Sequence, residues 1–143
     1  MSYHSDLLEN LARFLADNGA GVYRETGIYQ PSERGIVFGQ IPETPDEVIA
    51  LRLQDPTTTE LSPTAGADLT ASRVQIAWRT VGNPLNGYKL FDRLRSLING
   101  KRLGLGGNIV RGRYRSFGEI GPDSNHRVLF SSNWTLAGFE PRA

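Results

Sequence analysis

The stretch SRVQIAWRT, residues 72–80, alternates polar and apolar side chains. Residues two apart point to the same face of a pleated strand, so one face of this stretch is apolar while Arg73 and Arg79 lie on the other. The stretch VLFSSNWTL, residues 128–136, repeats the pattern. Two half-buried strands are therefore predicted, one at each end of a segment of about 65 residues.

A helix is predicted between these two strands. Asn83 can accept a hydrogen bond from a free helical N–H, and Pro84 suits a first helical position. One apolar stripe with helical spacing follows, made of Leu90, Phe91, Leu94, Leu97 and Ile98. Asn99 and Gly100 are the expected end, because glycine adopts the left-handed conformation at little cost.

Another helix is predicted near the N-terminus, from Ser5 as its N-cap to about Asp17, with Asn18-Gly19 ending it. The run VIAL, residues 48–51, is too continuously apolar for a surface strand, which predicts a strand inside the sheet. Both helices must lay one face on something, and the sheet is the available surface. The length of 143 residues favours one domain, residues 1–143.

Two segments lack a periodic pattern. Residues 54–71 are polar and small and include Pro56, Pro63 and Gly66, so we predict a long loop. Unstructured connections of this length are uncommon in compact domains. The loop is interpreted either as a flexible contact arm or as a plain disordered loop. Residues 139–143 are predicted to form a loose C-terminal tail.

The composition excludes several classes of protein. There is no cysteine, so disulfides, thiolate metal sites and cysteine nucleophiles are impossible. A net charge of +1 argues against strong non-specific DNA binding, which needs many uncompensated cations. No apolar run reaches the length of a membrane span, and no secretion signal opens the chain, so we expect an intracellular product without a membrane anchor.

Three glycines, Gly104, Gly106 and Gly107, suggest a phosphate-binding loop, but such loops lead from a strand into a helix N-terminus. Here the order is helix, loop, strand. We therefore predict a hinge or a tight bend and no bound nucleotide or other cofactor.

The remaining candidates for chemistry also have simpler explanations. The two histidines, His4 and His126, lack a second metal ligand at a suitable spacing, so no metal site is predicted. Asp123, Ser124 and His126 are the residue types of a hydrolytic triad, yet triad members converge from different elements. Turn formation explains them better. Asp46 and Glu47 are neighbours that point apart on a strand, and helix capping or solvation suits them better than acid and base roles.

The strongest charge feature is a row of arginines, Arg111, Arg113 and Arg115, which the period of two places on one strand face, with Val110 and Tyr114 on the other. Three interpretations stay open: a solvated face, a contact with acidic groups of a neighbouring subunit, and a contact with DNA phosphates. These three residues and Arg79 are our candidate subunit or partner contacts. No catalytic residue is predicted.

Several local strings, taken in order, resemble the minor capsid or tail terminator family of long-tailed bacteriophages. The string IPETPD, residues 41–46, followed by residues 48–53, resembles that family's proline-bracketed turn before a buried strand. The strings VQIAWR at 74–79 and GEIGPD at 118–123, with the helix at 90–100, resemble further elements, as does SNW at 132–134.

This resemblance implies an α+β fold, with a mixed and mainly antiparallel sheet packed by two main helices. It implies a non-enzymatic virion protein whose copies form a homohexameric ring on the tail tube, end its polymerisation and join it to the head. The implied partners are the chain itself, the tail tube protein and a neck protein, with DNA passing through the lumen. The implied place is the tail or neck of the virion, assembled in the host cytoplasm.

Three alternatives remain at this point. One is another neck component, such as a head-completion or tail-completion protein. A second is an enzyme, which a pocket joining His126 to distant carboxylates would indicate. The third is a nucleic-acid-binding module, which steep salt-dependent affinity carried by the arginine row would indicate.

Overall fold

The computed structural model describes residues 2–60 and 67–141. In this part of the chain there are two helices, α1 (Tyr3–Asp17) and α2 (Leu85–Ile98). The strands are β1 (Val22–Tyr23), β2 (Gly35–Phe38), β3 (Val48–Glu60), β4 (Ala67–Thr80), β5 (Arg102–Leu105), β6 (Asn108–Pro122) and β7 (Val128–Pro141).

The strands form one mixed sheet in the order β1-β2-β3-β4-β7-β6-β5. The pairs β1–β2 and β2–β3 are parallel, and every other pair is antiparallel. This confirms the predicted α+β class and the mainly antiparallel sheet. The predicted interior strand is also confirmed, because residues 48–51 lie between two neighbouring strands and are buried.

The sheet curls into a half-barrel around its helices. Helix α1 contacts β1, β2 and β3 at one edge and also β5 at the other. The turn between β5 and β6 reaches α1, since a Cβ added at Gly106 would lie 2.1 Å from Nδ2 of Asn10. The two distant edges of the sheet therefore approach the same helix.

The core fills the space between the helices and the inner face of the sheet. Leu90, Phe91, Leu94 and Ile98 of α2 are buried as the stripe predicts. Aromatic rings from α2 and three strands stack there, with ring centroids 4.3 Å apart for Phe91 and Phe117. Burial of this apolar surface is the main term that stabilises the fold.

The helix ends follow capping chemistry, with one correction. Helix α1 begins earlier than predicted, because the Ser2 side chain accepts a hydrogen bond from the Ser5 N–H and is the N-cap. The Asn83 side chain accepts from the Leu85 N–H at 3.0 Å, as predicted for α2. Gly19 and Gly100 have φ of 74° and 71°, which confirms both predicted helix ends.

The predicted loop and tail are wrong over most of their length. Residues 55–60 of β3 pair in antiparallel register with residues 68–73 of β4, and β4 pairs with β7 as far as Pro141. Backbone hydrogen bonds to strands distant in sequence hold these polar segments extended. The remainder of both predictions, residues 61–66 and 142–143, lies outside the described residues. We call residues 54–60 and 67–71 the arm.

Within the described ranges, neither helix has the length and hydropathy needed to cross a membrane.

Candidate functional site

The two faces of the sheet differ in what covers them. Both helices pack on the inner face, where the core lies. The outer face of β3 to β7 carries small and polar side chains, and we call it the open face. Its central rows consist of Ala71, Ala77, Ser131, Asn133 and Ala137. The Gln75 amide donates to the Ser131 hydroxyl at 3.1 Å, so the middle of this face is internally bonded.

The predicted arginine row lies on the open face. Arg111 stands opposite Ala137 and Arg113 opposite Thr135. A bulge interrupts the register between Tyr114 and Ser116, yet Nε of Arg115 donates to the Thr135 hydroxyl at 2.8 Å and so stays on the same side. Val110 is buried on the inner side, as predicted. The common face of the three arginines is confirmed, whereas a contact with a partner stays a prediction.

Three further arginines on this face were not among the contact candidates predicted from the sequence. Register places Arg52 opposite Gln75, Arg73 opposite Asp55, and Arg102 opposite Arg111. The period of two along each strand was a usable signal. Which strands lie side by side was not readable, so the separate arginines could not be combined into one surface.

The open face is strongly cationic relative to the rest of the chain. Six arginines and one aspartate give it a formal charge of +5, and because the whole chain carries +1, all other residues together sum to −4. Among the described residues, Arg102, Arg111 and Arg113 have no carboxylate partner. Arg102 and Arg111 are directly opposed like charges, an arrangement that is destabilising by itself.

A shallow cavity of about 250 Å³ opens beside these arginines. Leu69, Ile109 and Phe139 form its apolar lining, and Arg102 and Arg111 its cationic part. Ile109 and Phe139 are each 58% exposed. Large exposed apolar side chains next to unpaired charges are typical of a surface that is covered by a partner.

Arg79 lies elsewhere and has a different environment. It is only 4% exposed, beneath the loop of residues 42–46. Its Nε donates to the Asp46 carbonyl at 2.8 Å, and its Nη2 donates to the carbonyls of Pro45 at 2.6 Å and Glu43 at 3.2 Å. Burial and the neighbouring Arg127 lower the pKa of Arg79. Its Nε and Nη2 donors are used within the chain, so Arg111, Arg113 and Arg115 are the candidates that stay predicted partner contacts.

A second buried arginine also binds the loop of residues 42–46. Arg127 is 5% exposed and donates from Nε to Asp123 at 2.8 Å. Its Nη2 meets Glu43 Oε1 and its Nη1 meets Asp46 Oδ1, both at 3.2 Å. The Glu43 and Asp46 side chains are nevertheless 74% and 64% exposed. We call these two carboxylates the acidic rim; sequence reasoning did not single it out as a surface.

Asp46 and Glu47 do not cap a helix, so that part of their prediction is wrong. No helix starts here among the described residues, because the chain enters β3 directly. Asp46 pairs with Arg127, and Glu47 pairs with Arg34 at 2.7 Å. The two neighbours therefore have separate partners, in keeping with opposite directions of their side chains.

A turn at Asp123 and Ser124 is confirmed, but the predicted start at Gly121 and Pro122 is wrong, because both residues still belong to β6. Asp123 Oδ1 accepts hydrogen bonds from the backbone N–H groups of Asn125 and Arg127 at 2.9 and 3.0 Å. These bonds, the Arg127 backbone bond first, hold the pKa of Asp123 below its usual value. His126 is exposed, with a φ of 62°. The described residues contain no cluster of three histidine or acidic side chains suited to a metal ion.

Two of the three glycines after α2, Gly106 and Gly107, form a tight bend, as predicted, whereas Gly104 lies in β5 opposite Ile109. Gly106 and Gly107 have φ of 60° and 90° and make the two-residue turn that joins β5 to β6. Both positive angles match the turn type that fits the twist of a hairpin.

Comparisons with known proteins add little to this picture. No protein-family model matches the chain, and no curated protein sequence does. Among solved structures, a chain of the "Virion of native gene transfer agent (GTA) particle" matches with 9% sequence identity and a TM-score of 0.48. The match covers 73% of this chain and 78% of that chain.

Proposed function

We propose that this chain is a structural virion protein, a tail terminator of a phage-type particle. Its copies would form a ring, of six in this proposal, that sits on the end of the tail tube and stops its polymerisation. The proposed partners are other copies of the chain, the tail tube protein and a neck protein, with DNA passing through the lumen. The proposal assigns no catalytic residue and no cofactor, and it places the protein in the neck of the virion.

The open face is the observation that supports an assembly role. The main hydrophobic cluster lies on one side of the sheet, so the fold does not need the arginine-bearing part of the other side to form that cluster. That other side gathers unpaired arginines, exposed Ile109 and Phe139, and a cavity. Aromatic and arginine side chains are enriched at protein interfaces.

The strings that resemble tail terminators lie on elements that frame this face. Residues 41–46 form the loop over Arg79 and carry the acidic rim. Residues 74–79 belong to β4, in the middle of the sheet, and residues 118–123 lead into the turn held by Arg127. These strings thus lie in β4 and at the end of the sheet that carries the acidic rim.

A ring needs a head-to-tail contact between two different surfaces of each subunit. The separation of charge in this chain, +5 on the open face and −4 elsewhere, favours contacts between unlike surfaces of identical copies. DNA passage through such a ring does not require tight phosphate binding by the chain as a whole, whose net charge is +1.

The test combines the purified protein with particles from its source. Sedimentation velocity and negative-stain images of the purified chain should show closed rings. Antibody labelling of particles should place the chain at the neck, and disruption of its gene should give tails of irregular length. A chain that stays monomeric and is absent from the neck would overturn the proposal. Tails of normal length with heads that leak DNA would assign it to another neck component instead.

A further inference from the structure

We propose that three of the six arginines of the open face, Arg102, Arg111 and Arg113, bind the acidic rim of a second copy of this chain, Glu43 and Asp46. This inference rests on the ring assembly proposed above and names the two surfaces that would make its contact. The occupant of the open face is thus the neighbouring subunit in a head-to-tail arrangement.

The arginines lack an anion within the described part of their own chain. Arg102 and Arg111 face each other across β5 and β6, and Arg113 follows two residues along the same face. The residues opposite Arg111 and Arg113 on β7 are Ala137 and Thr135, which are uncharged. Three guanidinium groups on one face repel each other until a carboxylate approaches. A guanidinium also bonds a carboxylate through two parallel N–H groups, so the fit is geometric as well as electrostatic.

The acidic rim is held in place before any partner arrives. Glu43 Oε1 is bonded by Arg127 and by the Asn125 amide at 3.1 Å, and Asp46 Oδ1 is bonded by Arg127. Each carboxylate is held through one named oxygen while its side chain stays mostly exposed. The buried Arg127 and Arg79 also donate hydrogen bonds to backbone carbonyls of the loop. Such preorganisation reduces the entropy lost on binding.

The two surfaces cannot meet within one chain. Arg111 lies near the start of β6, whereas the rim sits beside the turn that follows Pro122, the last residue of that strand. Eleven residues of strand separate these positions, a distance of up to about 36 Å at roughly 3.3 Å per residue. Because the complementary surfaces are different and lie far apart, their pairing is heterologous and produces a ring or an open filament.

The apolar part of the site favours a protein partner over nucleic acid. Ile109 and Phe139 are each 58% exposed at the edge of the arginine cluster. Phosphate contacts would leave these side chains in water, whereas an adjoining subunit buries them. Polar and apolar contact in one patch is the usual composition of a protein interface.

Sedimentation velocity of the full chain tests this pairing, at salt concentrations from about 50 mM to about 500 mM NaCl. The wild type should associate, and more strongly at low salt. The variant Arg111→Glu/Arg113→Glu should weaken association by about tenfold or more, because like charges then meet at the contact. Glu43→Lys should do the same, and Glu43→Gln should have a smaller effect. Lys89→Glu, on the exposed side of α2, is the charge-reversal control and should associate like the wild type.

Mixing the two charge-reversed variants gives the decisive result. In the mixture, the lysine at position 43 of one variant meets the glutamates at positions 111 and 113 of the other. At the next contact, the unchanged arginines of the first variant meet the unchanged acidic rim of the second. Association should therefore recover. Circular dichroism of each variant establishes that it is folded. Failure of the folded variants to associate when mixed would overturn the pairing. So would unchanged association of the arginine variant, or a wild type that stays monomeric while it binds DNA through Arg111 and Arg113.

Failure of this inference and failure of the proposed function give different results. Rings at the neck that are insensitive to both charge reversals would overturn the pairing and leave the tail terminator proposal intact. Salt-sensitive association with recovery on mixing, for a chain absent from the neck, would support the pairing and overturn the terminator proposal.

Discussion

The close approach of α2 to the sheet predicts that Gly87→Ala destabilises the fold. A Cβ added at Gly87 would lie 2.0 Å from Cε2 and 2.2 Å from Cζ of the Phe130 ring, whereas Cβ contacts below 3.0 Å essentially do not occur. Phe130 is fully buried, stacked at 5.7 Å on Trp78 and at 6.1 Å on Phe117. The ring cannot move aside without disturbing these neighbours, so the helix itself must shift by about 1 Å.

Two costs and one gain determine the size of the effect. Overpacking of a core costs about 1–3 kcal/mol. A shifted helix also weakens the hydrogen bond from Trp78 Nε1 to the Gly87 carbonyl, which is 3.2 Å long and contributes about 1 kcal/mol. Alanine is favoured over glycine in a helix by up to about 1 kcal/mol, which offsets part of this. We expect a net loss of about 1–3 kcal/mol in the free energy of unfolding.

Urea unfolding, followed by far-UV circular dichroism and tryptophan fluorescence, measures this loss. The midpoint should fall by roughly 1 M urea. Phe130→Leu gives the matched background. Because leucine leaves more room opposite position 87, Gly87→Ala should lower the free energy of unfolding less in this background than in the wild type. Gly104→Ala, where an added Cβ has nothing within 4 Å, is the control. A Gly87→Ala variant as stable as the wild type would refute this reasoning.

Three other predictions concern the loop, the turn and the hairpin. The depressed pKa of Asp123 means that its ionised form stabilises the fold above the unfolded pKa of about 3.9, and that this contribution is lost as pH falls through the folded pKa. The free energy of unfolding of Asp123→Asn should therefore fall less steeply than that of the wild type between about pH 5 and about pH 2. Parallel curves of this free energy against pH would contradict the prediction. Arg79→Met leaves three carbonyls without their donor and should cost about 3 kcal/mol in urea unfolding; an unchanged midpoint would show that the loop bonds do not stabilise the fold. Gly106→Ala and Gly107→Ala both place alanine at positive φ, so each should lower the melting temperature relative to Gly104→Ala, whose φ is not positive; melting temperatures equal to that of this control would contradict the argument.

Sequence alone was sufficient for the elements whose signals are local. The stripe of α2, the alternation in residues 74–78 and the glycine at each helix end depend on residues a few positions apart. The turn at Asp123 was also readable, because the hydrogen bonds that form it join residues at most four apart. Such patterns are set by the geometry of a single helix, strand or turn.

The arm and the candidate site needed the tertiary structure. Residues 55–60 look like a loop because their side chains are polar, and pairing with residues 68–73 is what holds them extended. Arg79 has the same outward position in its strand as Arg73, yet a loop more than 30 residues away covers only Arg79. A period of two tells which side chains share a face of a strand. It does not tell which strands lie beside it or what covers that face, because those contacts join residues far apart in the chain.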